Sequence, residues 1–333
     1  MRNLLPSVLC GALLLGLTSC GDSKTTQGGK AGKKTIAVIP KGLTHEFWKA
    51  IHAGAEKAAQ EAGVQIEWQG PVREDSREDQ VKIVEQFITQ SVDGIVLAPL
   101  DDQALVSVVE EAGRKKIPVV IIDSGLKSQN YVSFVATDNK DGGRKGGEYL
   151  AKLIGNKGKV AMLRYAVGSA STMAREEGFL EAMKKFPDIE VVSSDQYGGA
   201  TTETAFKASE NLLASLKKEG KLAIGGIFCP NESSTFGMLR ALTDGGLAGH
   251  VRFVGFDASD KLIEGLKNDH LQGLILQNPM RMGYLGVKTM VDHLNGTQVE
   301  KRVDTGSVLV TKENMDEAEI KDLLHPPLDK YLK

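Results

Sequence analysis

From Thr35 onward, short apolar runs alternate with longer segments in which apolar residues recur every three or four positions. The short runs are rich in Val and Ile and apolar at consecutive positions: Thr35–Pro40, Val64–Trp68, Gly94–Ala98, Pro118–Ile122, Tyr131–Ala136, Lys159–Leu163, Ile189–Ser194, Ala223–Phe228, Arg252–Phe256 and Gly273–Leu276. Unbroken apolarity predicts strands covered on both faces. Between them, Phe47, Ile51, Ala55, Ala58 and Ala62 fall on one helical face, as do Val81, Val84, Ile88 and Val92. Strand and helix in alternation predict an α/β fold of parallel sheets with right-handed crossovers.

Nine or ten strands could form one large sheet or two smaller ones; a candidate crossing point favours two doubly wound lobes. The chain is expected to leave the first lobe in the Gly-rich stretch from Val132 to Gly143. The expected division is residues 35–137 plus 277–305 in one lobe and 138–276 plus 306–333 in the other, with crossings near 137, 277 and 305. In open parallel sheets a ligand sits beyond the carboxyl ends of the strands. Two such sheets facing each other would hold it between them.

The first 34 residues break the pattern. Arg2, the apolar run Leu4–Leu17 and the closing Leu17-Thr18-Ser19-Cys20 predict a secretory signal over residues 1–20. Its end resembles a bacterial lipobox, which implies lipidation of Cys20 and cleavage before it. Residues 21–34 hold Gly, Ser, Thr and Lys with almost nothing apolar, the composition of a flexible tether. The mature protein is thus expected to be a bacterial lipoprotein, periplasmic or at the cell surface, held to the membrane through Cys20.

Composition narrows the function. Of 333 residues, 41 are Lys or Arg and 43 are Asp or Glu, a formal net charge of -2 that argues against nucleic acid as a partner. Of the three cysteines, Cys10 lies in the signal and Cys20 at its end, so Cys229 has no intrachain partner in the folded part. No enzyme motif survives inspection. His45-Glu46 has Lys49 where a zinc helix needs its second His. Asp138-Asn139-Lys140-Asp141-Gly142 has Lys140 and Gly142 where a calcium loop needs oxygen ligands. No metal, no cofactor and no catalytic residue is expected.

A different pattern carries chemistry. Polar or aromatic residues recur just after the strand-like runs: Lys41 with His45, Phe47 and Trp48; Asp123 and Ser124; Arg175; Tyr197; Asn231; Asp257; Gln277. All are expected to face one cleft. Such a set combines rings that can cover an apolar face with Asp, Asn, Arg, Lys and Gln that can pair with a ligand's donors and acceptors.

At these residues the chain resembles the periplasmic sugar-binding proteins of ABC transporters, of the ribose-binding type. The resemblance covers residues 35–310 and rests on Phe47-Trp48 with Gly54-Ala55, Asp93-Gly94-Ile95-Val96, Asp123, Thr137-Asp138-Asn139 with Gly142-Gly143, Arg175-Glu176-Glu177-Gly178-Phe179, Asn231-Glu232 and Val254-Gly255-Phe256-Asp257. It implies two lobes of the type I periplasmic binding fold. It also implies that Asp123, Arg175, Asn231, Asp257 and Gln277 bind hydroxyls and that Phe47 and Trp48 form an aromatic wall. The implied function is capture of a monosaccharide or small polyol by a monomer that delivers it to an ABC permease. Three features depart from ribose binders: Ser124 follows Asp123, Tyr197 is followed by Gly198-Gly199-Ala200, and Pro40-Lys41 with Gly70-Pro71 looks more like rhamnose- and autoinducer-2-binding relatives. The alternative is a sensory subunit that presents such a signal to a membrane receptor. A repressor of the lactose type would need an N-terminal helix-turn-helix, where this chain has a signal segment.

Overall fold

The computed structural model describes residues 32–219 and 221–332. The signal segment, Cys20 and most of the expected tether lie outside them. In chain order the first part runs β1 (Thr35–Ile39), α1 (Glu46–Ala62), β2 (Gln65–Trp68), α2 (Arg77–Gln90), β3 (Gly94–Leu97), α3 (Val106–Arg114), β4 (Val119–Ile122) and β5 (Ser133–Ala136). Next come α4 (Asn139–Leu153), β6 (Gly158–Arg164), α5 (Ala170–Met183), β7 (Ile189–Tyr197), α6 (Thr202–Ser215), the two-residue strands β8 (Lys217–Lys218) and β9 (Lys221–Leu222), and β10 (Gly226–Phe228). The chain ends with α7 (Glu232–Asp244), β11 (Arg252–Phe256), α8 (Asp260–Lys267), β12 (Gly273–Gln277), α9 (Pro279–Leu294), β13 (Arg302–Asp304), β14 (Ser307–Val310) and α10 (Ala318–Leu324).

Two six-stranded sheets result, ordered β13-β5-β4-β3-β1-β2 and β14-β12-β11-β10-β6-β7. The first is parallel throughout; in the second only β14 runs antiparallel, against β12. The central strands are sealed on both faces, Ile36–Ile39 and Val120–Ile122 being wholly inaccessible, which is why they read as unbroken apolar runs. The strands β8, β9 and β13 left no such signal because they are two or three residues long and mostly exposed, and β14 because it is only half-buried over most of its length. Gln277 closes β12 and so belongs to the second sheet; the chain crosses at Asn278, one residue later than expected.

Glycines set the helix pairs that frame the cleft. A Cβ on Gly54 of α1 would lie 1.9 Å from the Met280 carbonyl oxygen of α9, and one on Gly283 would lie 2.0 Å from that of Ile51. Thus α9, just after a crossing, is locked onto the first lobe. In the second lobe Gly143 of α4 would meet the Arg175 carbonyl oxygen at 1.9 Å, and Gly178 of α5 that of Lys140 at 2.0 Å. Gly142 and Gly143, expected within the crossing, therefore belong to the packing face of α4: Gly142, Gly143, Gly146 and Gly147 share one side of a helix. The crossing is confined to Thr137 and Asp138, the latter capping α4 by accepting from the Asp141 amide. On α1 the buried face takes in Phe47, Trp48, Ile51, Ala55 and Ala58. Ala62 is exposed, because the helix tip overruns the sheet before Gly63 ends it in a left-handed cap (φ 67°).

The C-terminal segment spans both lobes. Ile320 and Leu324 of α10 are buried in the core of the second lobe, while the short 3-10 turn Leu328–Lys330 lies against α1 of the first.

Candidate functional site

The carboxyl ends of both sheets meet around one small cavity. Each lobe contributes an aspartate at the end of a central strand: Asp123 after β4 and Asp257 after β11. Both adopt left-handed backbone conformations, with φ 61° and 64°. Such strain is tolerated by Asp better than by most side chains, and it tips each carboxylate out of line with its strand. The amides that follow the strands stay in the ladder, Asp123 donating to Val135 O (3.1 Å) and Asp257 to Ile275 O (2.9 Å).

The first lobe supplies Lys41, His45, Phe47, Trp48, Glu74 and Asp123. Lys41 leaves β1 in a loop held by Gln80, whose amide donates to Pro40 O and Ala98 O (both 2.9 Å) and accepts from the Leu100 amide (2.8 Å). Lys41 Nζ lies 3.0 Å from Asp123 Oδ2. Glu74, buried, gathers three donors: His45 Nδ1 at 2.5 Å, Trp48 Nε1 at 2.6 Å and Tyr165 Oη of the second lobe at 2.6 Å. Burial works against both charges of the His45–Glu74 pair, and mutual attraction overrides it. His45 is raised to about 9 and Glu74 lowered to about 2.

The second lobe brings Tyr165, Ser171, Thr172, Arg175, Asn231, Glu232, Asp257 and Gln277. The close packing of α4 on α5 places Arg175, whose Nε donates to Asn139 Oδ1 (2.8 Å) and whose Nη1 donates to Pro230 O (2.9 Å). Its guanidinium lies 4.1 Å from the centroid of the Phe256 ring and 3.7 Å from Asp257 Oδ2. Burial pushes Asp257 up, with Arg175 and Gln277 pulling the other way. Asn231 both caps α7, accepting from the Ser234 amide, and lines the cavity. Gln277 donates to Asp257 Oδ1 (2.8 Å), while its own Oε1 is buried with no partner among the described residues. That oxygen is an acceptor waiting for a donor.

The lobes already touch across this cavity. Lys41 Nζ donates to Ser169 Oγ (3.2 Å) and Ser171 Oγ (2.9 Å), and the Ser171 amide donates to Ser124 Oγ (3.1 Å). Glu232 reaches over to the start of α1, where the Glu46 and Phe47 amides each donate to its carboxylate at 3.2 Å. His45 at the N-cap makes no side-chain cap of its own, so the partner lobe satisfies the helix end. Burial raises Glu232 to about 7. Replacing Glu232 with alanine should cost about 1 kcal/mol of closed-state stability, a typical cap value. The open fraction should then rise about fivefold, read by small-angle scattering or spin-label distances between the lobes; an unchanged distribution would refute the cap's role.

With these bonds formed the cavity measures about 30 Å³, room for a water or two and far below the roughly 300 Å³ of a typical ligand pocket. A ligand must therefore replace some of the polar pairs as the lobes part and close again. Outside the inner cavity lies a chamber of about 1220 Å³, with His45, Phe47, Glu232, Asp257 and Gln277 in the shared wall.

Of the expected site residues, Lys41, His45, Phe47, Trp48, Asp123, Arg175, Asn231, Asp257 and Gln277 line the inner cavity. Two do not. Ser124 is fully buried beside it and serves as the acceptor that ties the lobes. Tyr197 is 44% exposed, beyond the cavity, with the Arg164 guanidinium 5.6 Å from its ring. Its strand is an edge, and the β6–β7 pairing shifts register twice before reaching it; each one-residue slip reverses which face a side chain takes. Sequence reading missed Glu74, Tyr165, Ser171, Thr172 and Glu232. Glu74 sits in a polar loop with acidic neighbours and looks like solvated charge. Tyr165 directly follows β6 and fitted the strand-end pattern.

Comparison with known proteins finds a match to the periplasmic binding protein domain over residues 36–298. A ribose import binding protein of Haemophilus influenzae is 30% identical over 300 residues, 89% of this chain and 96% of that protein. A D-allose-binding periplasmic protein of Escherichia coli is 30% identical over 77% of this chain and 83% of its own length. Among solved structures, a carbohydrate transporter solute-binding protein from Agrobacterium radiobacter in complex with D-arabinose superposes with a TM-score of 0.84 at 34% identity, covering 89% of this chain and all of that one. An ABC transporter solute-binding protein from Agrobacterium vitis with bound D-fucose gives 0.83 at 37%, covering 87% and 100%.

Proposed function

The chain belongs to the periplasmic binding protein family, as a sugar-binding component of ABC import, and we propose that its ligand is a neutral, unphosphorylated monosaccharide or polyol. It is a binding protein rather than an enzyme. The observation that carries the ligand class is the charge balance of the inner cavity. Three cationic side chains (Lys41, His45, Arg175) face four carboxyl groups (Glu74, Asp123, Glu232, Asp257), all buried. Lys41 and His45 are each already paired, which leaves no cationic excess for a carboxylate or phosphate. A neutral polyol needs none, since its hydroxyls donate to Asp123, Asp257 and Gln277 Oε1 and accept from Lys41, Arg175 and Asn231. Relatives that carry ribose, allose, arabinose or fucose in their names support the same class.

A ligand that touches both lobes stabilises the closed form over the open one by its differential affinity, and this is the signal a permease reads. A thermal-shift panel of neutral aldoses, ketoses and polyols beside uronic acids and sugar phosphates tests the reading. A cognate ligand at a hundred times its Kd stabilises by about 2.7 kcal/mol. Shifts confined to the acidic or phosphorylated compounds would overturn it.

The assignment of Phe47, Trp48, Asp123, Arg175, Asn231, Asp257 and Gln277 as ligand contacts, with Lys41 and His45, belongs to the same proposal. So does a monomer made of two moving lobes, and so does an anchor at Cys20. Labelled fatty acid is expected to be incorporated into the parent and not into Cys20→Ala. A parent that takes up no label would refute the anchor.

A further inference from the structure

We propose that the outer chamber is a second subsite, which accepts the group attached to the ring held in the inner cavity, so that glycosides are ligands as well as free sugars. The inference rests on the neutral-sugar reading above. The lobes are already in contact through Lys41, Ser171, Tyr165 and Glu232, yet about 1220 Å³ stays open outside those contacts. Further closure cannot remove it, because the bonded pairs are the stop. Seating a ring in the inner cavity pushes the lobes apart and only enlarges the chamber.

The chamber is continuous with the inner site. Phe47, Asp257 and Gln277 belong to both linings, so a substituent leaving an inner ring at that wall enters the chamber directly. It has a roof as well. Leu324, Pro326 and Leu328 of the C-terminal segment line it where that segment passes from the core of the second lobe to α1 of the first. Its outer walls carry Lys49, Arg73 and Lys261 beside Glu46, Glu203 and Asp260, with Thr202 and Phe236. Three cations against three acids give no net charge, and hydroxyl with aromatic surface suits a second sugar ring or an aryl aglycone.

The experiment is calorimetric titration of the full mature chain with the free sugar of largest thermal shift and with its α- and β-methyl and phenyl glycosides. One phenyl anomer is expected to bind at least threefold more tightly than the free sugar. In Thr202→Trp, which puts an indole into the chamber, that glycoside should lose at least tenfold while the free sugar stays within twofold. Ser259→Trp repeats the test from another loop, and the melting temperature of each ligand-free variant shows that it folds. Exclusion of all glycosides with normal binding of the free sugar overturns the second subsite and leaves the neutral-sugar reading standing. Loss of free-sugar binding in folded Thr202→Trp also overturns it, by placing the ring in the chamber itself. Binding of no neutral sugar overturns both.

Discussion

Substituting Arg175→Ala is expected to weaken sugar binding by at least a hundredfold, about 2.7 kcal/mol, and to destabilise the second lobe at the same time. The loss of stability follows from the contacts Arg175 makes within its own lobe. Arg175 is 2% exposed and bonded to Asn139, to Pro230 and to the face of Phe256. Removing it strands Asp257 without its cation and leaves Asn139, at the crossing between the lobes, without its donor. Breaking a buried pair by deleting one partner costs about 3–5 kcal/mol; the 3.7 Å separation here points to the low end. Arg175→Lys should restore part of the stability and little of the binding, because a point charge cannot reproduce the guanidinium fork. Urea unfolding paired with calorimetric titration separates the two effects. An affinity in Arg175→Ala within threefold of the parent would remove Arg175 from the site.

The second large effect is expected at Glu74. In Glu74→Gln the buried acceptor for His45, Trp48 and Tyr165 is replaced by a neutral amide, and its own N–H donors face donors. A loss of about 3 kcal/mol is expected, together with weaker closure, since Tyr165 reaches Glu74 from the other lobe. The pH profile identifies the cause. His45 is raised from 6.5 to about 9, so its contribution is complete below 6.5 and is lost as pH rises through 9. Glu74 is lowered from 4.5 to about 2, so its contribution is complete above 4.5 and is lost as pH falls through 2. The two shifts describe one interaction and are not summed. Stability from this pair should be greatest between about pH 4.5 and 6.5 and should decline toward 9. Calorimetric melting of the parent and Glu74→Gln over that range should show the alkaline decline only in the parent. Parallel curves would show that the pair is not ionised as described.

Much of the site was legible in the sequence because parallel sheets expose their strand ends. A polar residue after an unbroken apolar run has nowhere to go but the cleft, which is why Asp123, Asp257, Asn231 and Gln277 were found. Arg175 was named with the strand-end residues, but the resemblance carried it: it lies one and a half turns into α5, and nothing local distinguishes it from a surface arginine. Its burial comes from Gly143 and Gly178, which bring two helix backbones together. Tyr165 fitted the same strand-end pattern and was overlooked, whereas Glu74 was missed because nothing in its polar loop marks it; its role is set by Tyr165 reaching it from the other lobe.

The alternation of apolar runs and amphipathic segments determined by itself that this chain builds parallel-stranded sheet covered by helices, because local periodicity dictates which faces must be buried; the division into two six-stranded sheets was settled by tertiary pairing. The signal-like first twenty residues likewise need no fold to be read. Which side chains converge, how their charges cancel, and that Glu232 of one lobe caps a helix of the other were decided only in three dimensions. Those contacts join residues as far as 186 positions apart, and their energies depend on burial that no short stretch of sequence contains.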